Sequence, residues 1–367
     1  MLVLGDTRLK EHKFEGVQIA RAIAALSVCY FHSWAVLGRF PEGTAHPFAP
    51  LAQHGWIGVD LFFAISGFVI GLVVSRSNFS VRPFLIRRVF RLYPLWLLML
   101  SLYPLMAWRW PGLLPTQTIG SFFYSATLLP TENFPFYDIG WSLQHEMMFY
   151  VLAAVIVPIA GIGGLVVTLC ITSVANHLVF LPWYISHFAF YHSEFLAGVL
   201  AFLALPYFKR VGWVAPIAVG LSTFYFFLIV WGGRPYFPIP LFFLILGAAL
   251  IATPGKHSVL MGALTSLGDA SYSIYLIHPL LFAFLKTFTI KLYSWMPLWI
   301  EEPLRLFSIA AVVAVSLMSF KFFEKPMNKL GERLSGAQSG GGIRQQEWTH
   351  PPHGPTKPVR EFEGPIH

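Results

Sequence analysis

The chain has 367 residues, of which 56% are hydrophobic, 17% aromatic and only 11% charged, and its formal net charge is +8. Soluble domains carry about 25% charged residues. A fold this apolar could not cover its surface in water, which argues against a soluble domain. In a soluble chain the positive charge would suggest a nucleic-acid partner. Here the basic residues sit between apolar runs, where they set membrane topology, so no nucleic acid is expected.

Apolar runs near the roughly 20 residues of a spanning helix occur at 16–38, 56–75, 92–109, 139–159, 162–181, 188–206, 212–231, 239–253, 268–287 and 303–322. They predict an all-α, polytopic transmembrane helix bundle of about ten spanning helices. The first run follows Lys10 and Lys13, as a signal peptide's apolar region would. It extends from Gly16 to Leu37, too long for such a region, and no A-x-A-like cleavage site follows, so a retained first helix is expected. An even count puts both termini on one side. With both termini cytoplasmic, 18 of the 25 Lys and Arg lie inside and 6 outside, as the positive-inside rule requires. Residues 1–15 then form a cytoplasmic N-terminal segment and 16–330 the membrane domain. Residues 331–367, rich in Gly, Pro, Gln and charge without periodicity, form a disordered cytoplasmic tail. The Pro- and aromatic-rich connection 110–138 is expected to lie along the interface or dip back into the bundle. Cys29 and Cys170 both fall inside apolar runs and suggest neither a disulfide framework nor a metal cluster; no metal site is expected.

Ionisable residues inside the bilayer are costly and therefore functional candidates. Arg21 and His32 are eleven residues apart on the first run. At 3.6 residues per turn they share one face, about 16 Å apart along the axis. Arg21 could instead snorkel to headgroups, and His32 could be a histidine satisfied by a neighbouring helix. Asp60 lies one turn into the second span, between Gly58 and Gly67, as an interfacial cap or as a site residue. Arg88 and Arg91, at i, i+3 just before the third span, serve either as a topology anchor on anionic lipid or as a phosphate clamp. Ser142 and Glu146 face together at i, i+4 near the outer end of the fourth span. Glu146 falls close in depth to His32 and Asp60, and His32 is its expected partner. Ser271, Tyr275 and His278 line one face of the ninth span, as interhelical polar glue or as a pocket wall.

Taken in order, these stretches resemble the acyltransferase-3 family of bacterial membrane O-acyltransferases. The resemblance rests on Arg21 and His32, on Gly58-Val59-Asp60-Leu61-Phe62-Phe63 with Ser66-Gly67-Phe68, and on Arg88-x-x-Arg91. It continues through Trp141-Ser142-Leu143 with Glu146, Ser271-Tyr272 through His278-Pro279, and Phe323-Glu324-Lys325-Pro326. It spans about residues 14–330. The tail is too short for the extracytoplasmic hydrolase-like domain that some members append, so the stand-alone kind is expected.

The resemblance implies a multi-pass enzyme of the bacterial inner membrane, a transferase of acyl groups other than aminoacyl groups. Its donor would be an acyl-CoA, acetyl-CoA above all. The acceptor would be a hydroxyl of a carbohydrate or lipid-linked glycan, as in exopolysaccharide, O-antigen or lipo-oligosaccharide. Acyl-CoA enters as substrate, and no permanently bound cofactor is expected. On this reading His32 is the general base, and Glu146 or Asp60 orients its imidazole. Arg88 and Arg91 bind the CoA phosphates at the cytoplasmic mouth, with Arg21 further along the pantetheine path. Ser142, Ser271, Tyr275 and His278 line the pocket. Direct transfer and an acyl-enzyme relay both remain open. The rival class is a proton-coupled transporter or glycan-export protein in which His32, Asp60 and Glu146 relay protons.

Overall fold

A computed structural model describes residues 14–37, 48–110, 118–208, 214–229, 237–251, 259–289 and 298–336. Among them there is no strand, and a helix lies on every apolar run identified above. In chain order these are α1 (Glu15–Leu37), α2 (Ala49–His54), α3 (Gly58–Val74), α4 (Val81–Arg109), α5 (Ile119–Ala126), α6 (Trp141–Leu178) and α7 (Trp183–Ala189). They are followed by α8 (His192–Phe208), α9 (Val214–Ile229), α10 (Pro238–Leu250), α11 (Val259–Asp269), α12 (Ser271–Thr289), α13 (Leu298–Ser319) and α14 (Lys325–Leu334).

Among the described residues, five helical stretches are long and apolar enough to cross a bilayer: Leu51–Val74, Val81–Arg109, Asp138–Leu178, Trp183–Phe208 and Ile300–Leu334. The protein is therefore an all-helical membrane protein. The fourth and fifth expected spans are joined in α6, which is interrupted at Gly161. Its φ of 66° lies in the left-handed region that glycine tolerates, and the chain turns tightly enough there that a Cβ on Gly164 would overlap that of Ala160.

Three boundaries differ from the sequence expectation. The helix of the third span starts well before residue 92: α4 begins at Val81, so Arg88 and Arg91 sit on the same helix as the third apolar run. Ser80 immediately precedes the helix in an extended conformation, and nothing between it and Pro94 breaks the helical pattern. The helix of the last span also starts early, with α13 beginning at Leu298, so Arg305 lies inside it and is only 1% exposed, with Nε 3.2 Å from Oε2 of Glu302. The tail boundary at 331 falls inside α14, which runs to Leu334 and packs on α4, with Gly331 against the Phe90 side chain. The remainder of the tail, 337–367, and the N-terminal segment 1–13 lie outside the described residues.

α1 is central, packing against α3, α10, α11, α12 and α13. Its inner faces are small: Ala20, Ala22, Ala24, Ala25 and Cys29 are all buried. Small residues let helix backbones approach where lipid offers no hydrophobic drive to association. The same device joins α3 and α8, where Gly67 sits on the backbone of Phe195 and Gly198 on that of Ala64. Either position would clash if it carried a Cβ. The connection 110–138 does dip into the bundle at its end. Phe136 and Tyr137 are buried beside Tyr103, and the Tyr137 hydroxyl donates to the Leu276 carbonyl of α12 at 2.6 Å. Residues 111–117 of it lie outside the described residues.

Candidate active site

A cavity lies among α1, α3, α4, α6 and α12, with about 730 Å³ of empty space including its mouth. Arg21, Ser66, Arg88, Arg91, Ser142, Glu146, Tyr150, Ser271, Tyr272 and Tyr275 supply its polar wall, and Val59, Phe62, Phe63, Ile65, Val69, Leu92 and Leu143 its apolar one. Helical periodicity explains the grouping. Arg88 and Arg91 lie at i, i+3 on α4, Ser142, Glu146 and Tyr150 at successive i, i+4 positions on α6, and Ser271 and Tyr275 at i, i+4 on α12.

The cationic end of this cavity is already furnished with acceptors. Glu146 accepts a hydrogen bond from the Tyr150 hydroxyl and a second from Ser66 Oγ at 3.4 Å. The Arg91 guanidinium interacts electrostatically with both Glu146 and Glu324. Arg21 is drawn to the same two carboxylates and to Asp269, and donates to Gln18 Oε1 at 3.5 Å. The Arg88 guanidinium lies 5.3 Å from the Tyr150 ring centroid and 5.5 Å from that of Phe84, a stacking that suits its planar cation. Its Nε is buried and has no hydrogen-bond partner among the described residues.

In the sequence Glu324 stands out only as part of a motif, yet it is a member of this cluster. It ends a π-helical turn, Phe320–Glu324, is 3% exposed, and accepts from Ser273 Oγ at 2.7 Å. A π-turn shifts the register of the helix beyond it and recurs at functional sites. An acidic residue at the end of an apolar run was the available signal. Tyr150 and Tyr272 were also missed as wall residues. Tyr272 ties α12 to α4 by donating to the Leu92 carbonyl at 2.6 Å.

His32 is not at the cavity wall and does not meet Glu146. Its Nδ1 lies 3.0 Å from the Val28 carbonyl oxygen and 3.0 Å from Nε2 of His278. The two imidazoles are 4.9 Å apart between centroids. The expected His32–Glu146 partnership is thus replaced by a histidine pair, because α12 rather than α6 presents a side chain to that stretch of α1. His278 is fully buried and joins the cavity only through its neighbour Tyr275, whose ring lies 5.9 Å away. The Tyr275 hydroxyl pairs with Ser142 Oγ at 2.7 Å, and Ser142 donates to the Ile139 carbonyl at 3.2 Å. Asp60 is buried within α3 and is not among the lining residues. Of the candidates, Arg21, Arg88, Arg91, Glu146, Ser142, Ser271 and Tyr275 surround one cavity, while His32 and His278 form an adjoining pair. Among the described residues no cluster of His, Cys, Asp or Glu has the geometry of a metal site.

Comparison with known proteins gives this geometry a context. Residues 14–320 match a family model described as an acyltransferase domain. The exopolysaccharide production protein ExoZ of Rhizobium meliloti (strain 1021) is 27% identical over 319 residues, covering 79% of this chain and 93% of that protein. The peptidoglycan O-acetyltransferase OatA of Listeria monocytogenes is 25% identical over 382 residues, covering 89% of this chain and 57% of that protein. No solved structure matches the chain.

Proposed function

Since the chain belongs to the acyltransferase domain family, and is thereby a membrane transferase of acyl groups other than aminoacyl groups, we propose that it is an O-acetyltransferase. It moves the acetyl group of acetyl-CoA to a hydroxyl of a cell-surface or exported carbohydrate. The observation that carries this reading is the cavity in which Arg88 keeps a buried, unpartnered Nε–H beside Arg91 and Arg21. A buried donor without an acceptor is costly, and a phosphate oxygen of an anionic donor would satisfy it with a charge-assisted bond. Ten spans, cytoplasmic termini and residence in a bacterial inner membrane belong to the same proposal, since the positive-inside count then opens the arginine end to cytoplasmic acyl-CoA.

His32 takes the proton of the attacking hydroxyl in this mechanism. A hydroxyl is a poor nucleophile, and removal of its proton as it attacks the thioester carbonyl lowers the barrier, typically by 10²–10⁴-fold in rate. Glu146 has a different task from the one its spacing suggested. Held by Tyr150 and Ser66 and facing Arg91, it keeps the guanidinium groups in fixed positions so that the donor meets a preorganised cationic wall.

Isolated membranes supplied with radiolabelled acetyl-CoA test the proposal. Label is expected in polymer or glycolipid, and at lower yield in membranes of an Arg88→Ala, Arg91→Ala variant. Solute uptake driven by a pH gradient, without label transfer, would replace this reading with a transporter.

A further inference from the structure

We propose that His278 is the positioning residue for His32: it holds the His32 imidazole in one tautomer and orientation, so that Nε2 carries the lone pair that accepts the proton. The inference rests on the acyl-transfer reading above and assigns the orienting task to an imidazole instead of a carboxylate.

Hydrogen-bond chemistry determines where each proton sits. A backbone carbonyl only accepts, so a ring nitrogen within bonding distance of one must carry a hydrogen. His278 Nδ1 is 3.1 Å from the Ile274 carbonyl oxygen, and the Tyr275 carbonyl also contributes. The second contact has a cause in the sequence. The helical donor to the Tyr275 carbonyl would be the amide of residue 279, but Pro279 has no N–H. Two carbonyls therefore hold the proton of a neutral His278 on Nδ1 and leave Nε2 as an acceptor.

The same argument applies to His32. Its Nδ1 is 3.0 Å from the Val28 carbonyl, so it too carries a hydrogen, and that hydrogen is shared with His278 Nε2 at 3.0 Å. Every donor in the pair meets an acceptor in this one arrangement. His32 Nε2 is then unprotonated, and no partner engages it among the described residues. The carboxylate first expected in the orienting role is engaged by Tyr150 and Ser66 at the arginine wall.

The step balances without further reactants. The acceptor O–H passes its proton to His32 Nε2 as its oxygen bonds to the thioester carbonyl carbon. Collapse of the tetrahedral adduct breaks the C–S bond, and the imidazolium returns the proton to the departing sulfur, giving ester and thiol. While His32 is cationic its Nδ1–H donates more strongly to neutral His278, which stabilises the charge as it forms.

The test is label transfer from radiolabelled acetyl-CoA in membranes carrying His278→Ala, His278→Gln, His32→Ala and the His32→Ala, His278→Ala double variant. His278→Ala is expected to lower kcat roughly 10- to 100-fold, as loss of a partner that orients a functional histidine typically does, while leaving the KM for acetyl-CoA unchanged. The Gln amide oxygen can accept the Nδ1–H, so His278→Gln recovers a substantial part of that loss. The double variant is expected to match His32→Ala, since the two side chains act as a unit. Activity of His278→Ala within twofold of the parent would overturn the proposal, as would losses in the double variant that multiply. If His278→Ala fails to insert, the glutamine variant decides: inserted, thermally stable in detergent and yet inactive, it would equally overturn it. Full transfer by His32→Ala would instead defeat the role of His32 itself, a result distinct from failure of the His278 series alone.

Discussion

The two ends of α1 solve opposite electrostatic problems. At Arg21 the helix meets two further guanidinium groups, and the fold surrounds them with Glu146, Glu324 and tyrosine rings. At His32 it meets the imidazole of His278, and each ring is also held by a backbone carbonyl of its own helix, Val28 for His32 and Ile274 for His278. Cations kept in a low-dielectric interior need nearby anions and π faces. A group that gains and loses a proton needs a partner that fixes its tautomer, and an acceptor nitrogen can do this as a carboxylate does. The comparison teaches that one helix face can present a fixed charge at one end and a titrating group at the other, provided different neighbours attend each.

Several substitutions would break or sharpen this contrast. The largest effect is expected from His32→Ala. Loss of the proton acceptor lowers label transfer by about 10³-fold, with membrane insertion and acetyl-CoA KM unchanged in a filter-binding and kinetic assay. Next comes Arg88→Ala, which raises the acetyl-CoA KM roughly tenfold or more, the loss of one charge-assisted hydrogen bond of about 1.5–3 kcal/mol. Arg88→Lys is expected to restore little, because a point ammonium cannot stack on Phe84 and Tyr150 while presenting a fork; an equal KM in the lysine variant would reduce the role of Arg88 to charge alone.

Glu324→Ala tests the arginine end through stability. It removes the nearer of the two acceptors of Ser273 and an anion from Arg91 and Arg21, a cost of about 1–3 kcal/mol, visible as a lower thermal denaturation midpoint in detergent. Glu324→Gln keeps the Ser273 bond and should lie between. The smallest effect belongs to Ser142→Ala, which removes the Tyr275 partner at the junction of the two regions. It is expected to cost about 1 kcal/mol, read as a change in kcat within about tenfold. A loss as large as that of His32→Ala would show that the Ser142–Tyr275 contact is part of the reaction rather than part of the wall.

Much of this was legible from residue order. Apolar runs marked where helices form, and helical periodicity alone put Arg21 with His32, Arg88 with Arg91 and Ser142 with Glu146. What periodicity cannot supply is the partner across an interface. His32 and His278 are 246 positions apart, and nothing in either segment says that α12 rather than α6 reaches that part of α1. The partner of Glu146 was misassigned for a related reason. Glu146 was placed by counting from an assumed membrane surface, but the tertiary packing sets it among arginines that begin a different helix.

The amino-acid sequence by itself determined that this protein is a bundle of apolar helices with a small number of buried ionisable groups at defined helical faces, because hydrophobic length and the 3.6-residue turn are local properties. Only the tertiary structure decided which of those groups meet. α1 and α12 share a buried cluster that includes Ala25, Cys29, Ile274 and Phe282, and the pairing of His32 with His278 belongs to that interface. Glu146 could then be committed to the arginines, since buried guanidinium groups must find their counter-charge wherever the neighbouring helices offer it.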